Sequence, residues 1–279
     1  MVYATAGEVV SGHDLTGMNV IVTGGTSGLG AETVRVLAAA GARVVAAGRS
    51  RGTAELPASA EFEELNLASL KSVDAFVRRW NRPLHRLINN AGVMRTPFGR
   101  TADGFELQFG INHLGHFALT VGLLPALRDA DGARVVVLSS RGHRRSDVDF
   151  DDPNYLYRPY DPWEAYGQSK TANCLFAVGL TRCGVPANAV APGAIQTSLM
   201  RHMPHEELAD RGWLDSAGNR VNGPGPEWKT VEQGAATTVW AAVAPQLRGV
   251  GASISTTALS PSRGPDRARY RSVSTRRTP

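Results

Sequence analysis

The segment Thr23-Gly24-Gly25-Thr26-Ser27-Gly28-Leu29-Gly30 limits what this chain can fold into more than any other stretch. An apolar run, Met18 to Val22, leads into it, and Ala31 to Ala40 leaves it with helical spacing of Val34, Leu37 and Ala38 until Gly41 stops the pattern. A strand, a glycine-rich turn and a helix in that order let backbone N–H groups and the helix N-terminus face a pyrophosphate. The glycines fall as G-x-x-x-G-x-G, not as G-x-G-x-x-G. A tight turn alone would account for the glycines but not for the strand before and the helix after them. Gly24, Thr26, Ser27, Gly28, Leu29 and Gly30 are therefore candidate phosphate-side residues.

The alternation continues along the chain. Arg43 to Ala47, Glu61 to Leu65, Leu87 to Asn89, Arg134 to Ser139 and Val185 to Val190 read as five further strands, and a last one is open from Gly251. The nearly continuous aliphatic run from Arg134 suits a parallel strand buried on both faces. Helices are predicted over Ser69–Trp80, Phe105–Leu127, Trp163–Cys183 and Val231–Val243, whereas Ser50–Ala60, with Gly52 and Pro57, can hold little. Strands alternating with helices point to an α/β, Rossmann-type doubly wound parallel sheet of about seven strands with helices on both faces. A length of 279 residues with 42% hydrophobic composition fits one such domain. The expected division is an N-terminal extension over 1–14, the fold over 15–256 and a tail over 257–279.

The net charge of +5 invites a nucleic-acid partner, but its distribution argues against one. From Pro261 onward there are six arginines and one aspartate, and 6 − 1 = 5, so the tail holds the whole excess. The body is close to neutral, and the tail reads as a solvated, disordered segment. No run approaches about 18 apolar residues, and Met1 to Asp14 has no basic region followed by an apolar stretch. The expectation is a cytoplasmic protein with neither membrane nor export. Cys174 and Cys183, nine apart on one predicted helix, cannot bridge and lack metal-ligand spacing.

Tyr166 and Lys170 lie four apart on a predicted helix, which puts a phenol and an ammonium on one face. A free tyrosine titrates near about 10, and bringing it to neutrality requires about 4 kcal/mol of differential stabilisation by a neighbouring charge. The spacing is also common on ordinary helix surfaces, so alone it does not establish catalysis.

Together with Asn89-Asn90-Ala91-Gly92, Asn112, Ser140 and Pro192-Gly193, the glycine turn and the Tyr166-x-x-x-Lys170 pair resemble the short-chain dehydrogenases/reductases. Asp103-Gly104-Phe105-Glu106 and Asn112-His113-Leu114-Gly115-His116-Phe117 are similar to the retinol-dehydrogenase-like branch, over about Leu15 to Gly251. The resemblance implies that Tyr166 donates a proton in reduction and accepts one in oxidation, and that Lys170 lowers its pKa and bonds the nicotinamide ribose. It implies that Ser140 holds the substrate oxygen and that Asn112 binds a water leading from Lys170 to solvent. A hydride arriving at a carbonyl carbon makes an alkoxide, which needs a donor and a proton beside it. Ser139 competes with Ser140, but adjacent strand residues face opposite ways and the family pattern favours the second. Asn66 and Leu67 would lie near adenine, with Asn90, Ala91 and Gly92 as the adenine-side wall. Pro192, Gly193, Ile195 and Thr197 would lie on the nicotinamide side. An acid at the end of the second strand would bond the ribose hydroxyls of NAD(H), but Gly48 stands there and Arg49 follows, able to pair with a 2′-phosphate. NADP(H) is therefore the expected cofactor, acting with a small hydrophobic carbonyl or alcohol substrate.

His113 and His116 are expected to anchor the helix that carries Asn112, with no metal. The insertion Arg141–Pro162, with its carboxylates, Tyr155 and Tyr157, reads as a solvated loop whose aromatic residues line the substrate mouth. Three departures from the family pattern stand out. Asn66 replaces the usual adenine-contacting aspartate, Thr181–Pro186 is a short connection that predicts a distorted helix end or strand start, and the tail from Ser260 is foreign to the pattern. Two other activities stay open, a non-catalytic NADP-binding protein and a carbon–carbon double-bond reductase. Substrate specificity is assigned to Ser198–Trp228, with Met200, Met203, Trp213 and Trp228 as candidate lining, and a homodimer through the two long helices is the expected assembly.

Overall fold

Val20, Ile21 and Val22 show how the core is divided: consecutive residues of one strand point to opposite faces, and both faces are covered. Val20 and Val22 pack with Val34, Leu37 and Val239, while Ile21 packs with Phe76, Leu119 and Phe176 on the other side. The computed structural model describes residues 3–52, 55–210, 212–215, 217–219, 221 and 227–255. The basic tail set apart above lies outside the described residues.

In chain order the elements are α1 (Ala6–Val10), β1 (Asn19–Thr23), α2 (Gly28–Ala39), β2 (Arg43–Gly48), β3 (Ala60–Glu64), α3 (Leu70–Arg79) and β4 (Arg86–Asn89). Then come α4 (Leu107–Phe109), α5 (Gly115–Gly122), α6 (Leu124–Arg128), β5 (Arg134–Leu138), α7 (Pro162–Arg182), β6 (Ala187–Val190) and β7 (Ala194–Ile195). The series ends with α8 (His205–Asp210), β8 (Trp228–Lys229), α9 (Val231–Val243) and β9 (Ile254–Ser255). Seven strands form one sheet in the order β3-β2-β1-β4-β5-β6-β9, and every pair is parallel. The expected Rossmann-type doubly wound sheet is therefore present. Because β2 and β4 flank β1, the strand order reverses there, which leaves a crevice at the strand C-termini. A small second sheet, β7 with β8, lies beside that crevice.

Helix starts follow the sequence. Asp161 caps α7, accepting from the Trp163 and Glu164 amides at 2.7 and 2.8 Å, with Pro162 in the first turn where its missing N–H costs nothing. Thr230 and Gln233 form a capping box on α9. Among the described residues no helix is long and apolar enough to cross a membrane.

Three expectations change. The helix predicted over Phe105–Leu127 is broken into α4, a π turn at Gly110–Leu114, α5 and α6. Gly115, after the π turn, allows close packing, since a Cβ there would lie 2.5 Å from the Leu67 carbonyl oxygen, and Pro125 interrupts the ladder at α6. The connection Thr181–Pro186 is short but regular. Gly184, at φ 84°, donates to Thr181 O and Val185 N donates to Leu180 O, which is a Schellman motif with Leu180 and Val185 both in the core. The segment set apart as an extension packs on the body, with Ala6 and Val10 buried among α9 residues.

Candidate active site

Burial is what distinguishes the two key side chains of α7. Tyr166 and Lys170 are 4% and 6% exposed, although they carry a phenol and an ammonium. Lys170 Nζ donates to Leu138 O at 3.0 Å, at the end of β5, and lies 5.6 Å from the Tyr166 ring centroid. Ser140 follows β5 and accepts from Gly142 N at 3.1 Å, and its side chain is also hydrogen-bonded to Tyr166. Gly142 is required here, since a Cβ would lie 2.9 Å from the Tyr166 ring. Ser139 points the other way, donating to Lys170 O at 2.8 Å with Cys174 Sγ at 3.1 Å, so its hydroxyl is engaged by α7.

Asn112, fully buried in the π turn, is clamped on three sides. Its Oδ1 accepts from Val93 N at 2.8 Å, and its Nδ2 donates to Val93 O at 2.9 Å and Ser169 Oγ at 3.0 Å. The side chain thus ties the turn after β4 to α7, one residue before Lys170. His116 bonds the Asn112 carbonyl through Nδ1 at 3.0 Å and Thr23 Oγ1 through Nε2 at 2.8 Å. His113 bonds Asn173. Burial pushes the two histidines down to about 4 for His113 and about 3 for His116. Among the described residues no cluster of His, Cys, Asp or Glu could hold a metal.

Burial pushes the Tyr166 phenol up, opposed by Ser140. Burial also lowers Lys170, to about 8, against a smaller opposing effect of Cys174.

These groups form the inner end of a cleft of about 490 Å³. Its outer end is the glycine turn, with Gly24, Thr26, Ser27, Gly28, Leu29 and Gly30, followed by Arg49, Asn66 and Leu67. Asn90, Ala91, Gly92, Pro192, Gly193, Ile195 and Thr197 line the walls. Every candidate site residue except Asn112 lines this one cleft, and Asn112 sits directly behind Gly92, where a Cβ would be 3.1 Å from its Oδ1. The turn fits a phosphate-bearing cofactor. Gly28 has φ 50°, a Cβ at Gly30 would stand 2.1 Å from Gly24 O, and the N-cap Ser27 makes no side-chain bond to the first turn of α2. Arg49 is exposed and makes no ion pair among the described residues. Asn66 Oδ1 accepts from Ala68 N at 3.0 Å.

Sequence reasoning missed Arg201 and Gly52, which also line the cleft; both lie in turns without a motif. The insertion behaves differently from its expectation. The Asp152 carboxylate accepts from the Leu156, Tyr157 and Arg158 amides, and Arg158 stacks 3.7 Å over the Tyr155 ring. Tyr155 is therefore buried within the loop and Tyr157 is 88% exposed, so neither lines the cleft. Of the described residues in 198–214 only Ser198, Leu199 and Arg201 line the cleft, and the expected substrate-lining residues Met200, Met203, Trp213 and Trp228 do not. Met203, Leu208 and Leu214 pack with Met94 and Tyr166, and Met200 and Trp213 border them. Trp228 packs edge-on against Trp213, with centroids 6.3 Å apart.

A family model described as short chain dehydrogenase matches residues 18–150. A probable oxidoreductase of Streptomyces lividans is 50% identical over 251 residues, covering 85% of this chain and 84% of that one. Human (Homo sapiens) retinol dehydrogenase 13 is 42% identical over 72% of this chain and 66% of its own length. Among solved structures, an uncharacterised protein from Mycobacterium paratuberculosis superposes with a TM-score of 0.67 at 35% identity, over 91% of this chain and 85% of that one. With the sheet and the cleft in view, the chain belongs to the short-chain dehydrogenase/reductase family of oxidoreductases, in its retinol-dehydrogenase-like branch.

Proposed function

We propose that this protein is an NADP(H)-dependent oxidoreductase that interconverts an alcohol and a ketone or aldehyde on a hydrophobic small molecule in the cytoplasm. The observation that carries the reading is the meeting of Ser140, Tyr166 and Lys170 at the buried end of a cleft whose other end is the glycine turn and Arg49. When bound, the nicotinamide supplies or accepts the hydride. Ser140 Oγ holds the substrate oxygen, and Tyr166 gives that oxygen a proton in reduction and takes one in oxidation. Lys170 holds its ammonium at the end of β5 and bonds the nicotinamide ribose, while Asn112 positions the turn opposite. The glycine turn and the N-terminus of α2 hold the pyrophosphate, and Arg49 pairs with the 2′-phosphate. Pro192, Gly193, Ile195 and Thr197 flank the nicotinamide. Leu199 makes the substrate wall apolar, backed by the cluster of Met200, Met203 and Trp213 around Tyr166. Two copies pair through α5 and α7, which expose Phe117, Val121 and Leu175.

The test is NADPH oxidation against a panel of hydrophobic aldehydes and ketones. Absence of turnover across the panel, or unchanged turnover in Tyr166→Phe, would sink the proposal. Tight NADPH binding without turnover would favour a non-catalytic role, and turnover of enones alone at the carbon–carbon bond would favour the double-bond reductase.

A further inference from the structure

Lys229 is a buried ammonium outside the set just described. It ends β8, one residue before the cap of α9, and is 4% exposed. Burial lowers its pKa, Glu227 opposes this, and Arg141 adds to it. A buried ammonium without partners is costly, so its contacts indicate its function. Its Nζ donates to Pro192 O at 3.0 Å and lies 4.5 Å from the Tyr3 ring centroid. Its stem fills the space beside Gly193, where φ is 105° and a Cβ would lie 3.2 Å from Lys229 Cε and Nζ. Burial foremost, with Glu227 next, raises the Tyr3 phenol to about 12.

Three chain segments thus meet behind one wall of the cleft: the N-terminus, the loop after β6 and the strand before α9. The loop after β6 carries Pro192, Gly193, Ile195 and Thr197 into the cleft, and Lys229 does not line it. The same loop pairs Ala194 with Trp228 and Ile195 with Lys229, and packs Ile195 on Gly234. Resting on the cofactor reading above, we propose that Lys229, enclosed by the ring of Tyr3, is a positioning residue that fixes the Pro192–Thr197 loop for the nicotinamide half of the cofactor. The N-terminal segment is then part of the cofactor site.

The inference predicts a defect confined to one half of the ligand. Calorimetric titration with NADPH and with adenosine 2′,5′-bisphosphate, which lacks nicotinamide, reads the two halves separately. Lys229→Met removes a charged donor, so NADPH binding is expected to weaken about tenfold while the bisphosphate stays within about twofold. Tyr3→Ala leaves the bond to Pro192 but admits water to it, and is expected to shift the same ratio less. If Lys229→Met fails to fold, Tyr3→Ala carries the test. Equal weakening of both ligands, or an unchanged ratio in whichever variant folds, overturns the positioning role. If the unsubstituted protein binds neither ligand, the cofactor reading falls and this inference with it.

Discussion

The two ends of the cleft are built in opposite ways. At the reacting end the groups are buried and each is held by several elements: Lys170 by β5, Asn112 by the turn after β4 and by Ser169, Tyr166 by Ser140 and the apolar wall. At the other end Arg49 is exposed on a turn and Asn66 is half-buried. Chemistry needs atoms fixed to fractions of an ångström, which only packing from several sides provides. Recognition of a doubly charged phosphate tolerates a mobile guanidinium in water, because charge attraction does not need a fixed geometry.

If that contrast is right, damage at the two ends separates in kinetics. The largest effect belongs to Tyr166→Phe, which removes the proton donor without removing the ring that packs with Met203 and Leu208. Its turnover number should fall about a thousandfold while NADPH affinity, read by nicotinamide fluorescence, stays close to wild type. Comparable loss of affinity would mean that the reacting end also carries the binding. Arg49→Leu is the converse. A charge-assisted contact to the 2′-phosphate predicts NADPH binding weaker by about tenfold to a hundredfold, with NADH binding and the turnover number little changed. Equal losses for NADPH and NADH would remove the 2′-phosphate from the argument.

The contrast also explains what could be read in the residues themselves. The glycine turn, Ser140 and the Tyr166–Lys170 spacing are local patterns, and the structure brings all of them to one cleft. The Schellman end of α7 was also legible, since Gly184 stands where a left-handed residue is needed; its distance from the usual family spacing hid it. The direction of the Tyr166 shift was not legible, because burial is a property of the whole fold. Neither was the close approach of Leu67 O to Gly115 beside the π turn, which comes from a distant segment. Ala6 and Val10 are too few to reveal a helix that docks on α9.

A third region, α8, packs Leu208 beside Tyr166 and is also tied down through Glu207. Glu207 pairs with Arg95, and its Oε1 accepts from Trp163 Nε1 at 2.8 Å, joining α8 to the turn after β4 and to the start of α7. Both partners of the ion pair are largely shielded from water. Glu207→Gln keeps an acceptor for Trp163 and weakens the pairing with Arg95. The expected result is a Michaelis constant for substrate raised about fivefold with little change in turnover number. A fall in turnover number instead would place α8 with the reacting end.

One link between the two ends is an imidazole. Thr23 Oγ1 at the glycine turn accepts from the Asn90 and Ala91 amides at 2.9 and 3.0 Å, and its proton has two acceptors in reach, His116 Nε2 at 2.8 Å and Ile88 O at 3.4 Å. Asn112 O only accepts, so His116 Nδ1 carries the hydrogen between them and the neutral ring leaves Nε2 to accept from Thr23. Protonating Nε2 would remove the acceptor for Thr23 and place a charge in a fully buried site near Lys170. This is why His116 is held down to about 3, with burial the main cause and Lys170 and His113 adding to it. Above pH 6.5, the ordinary histidine value, both folded and unfolded chains hold it neutral. Below that the unfolded chain takes up a proton that the folded chain refuses, so stability falls with falling pH until about pH 3. One such group costs about 1 kcal/mol by pH 6 and about 2 kcal/mol by pH 5. Urea midpoints from pH 7 to pH 5 should show this slope in wild type and a shallower one in His116→Gln, whose remaining groups titrate alike in both proteins. Parallel slopes would mean that His116 is accessible to protons in the folded chain, and that the glycine turn and the Asn112 turn are not coupled through it.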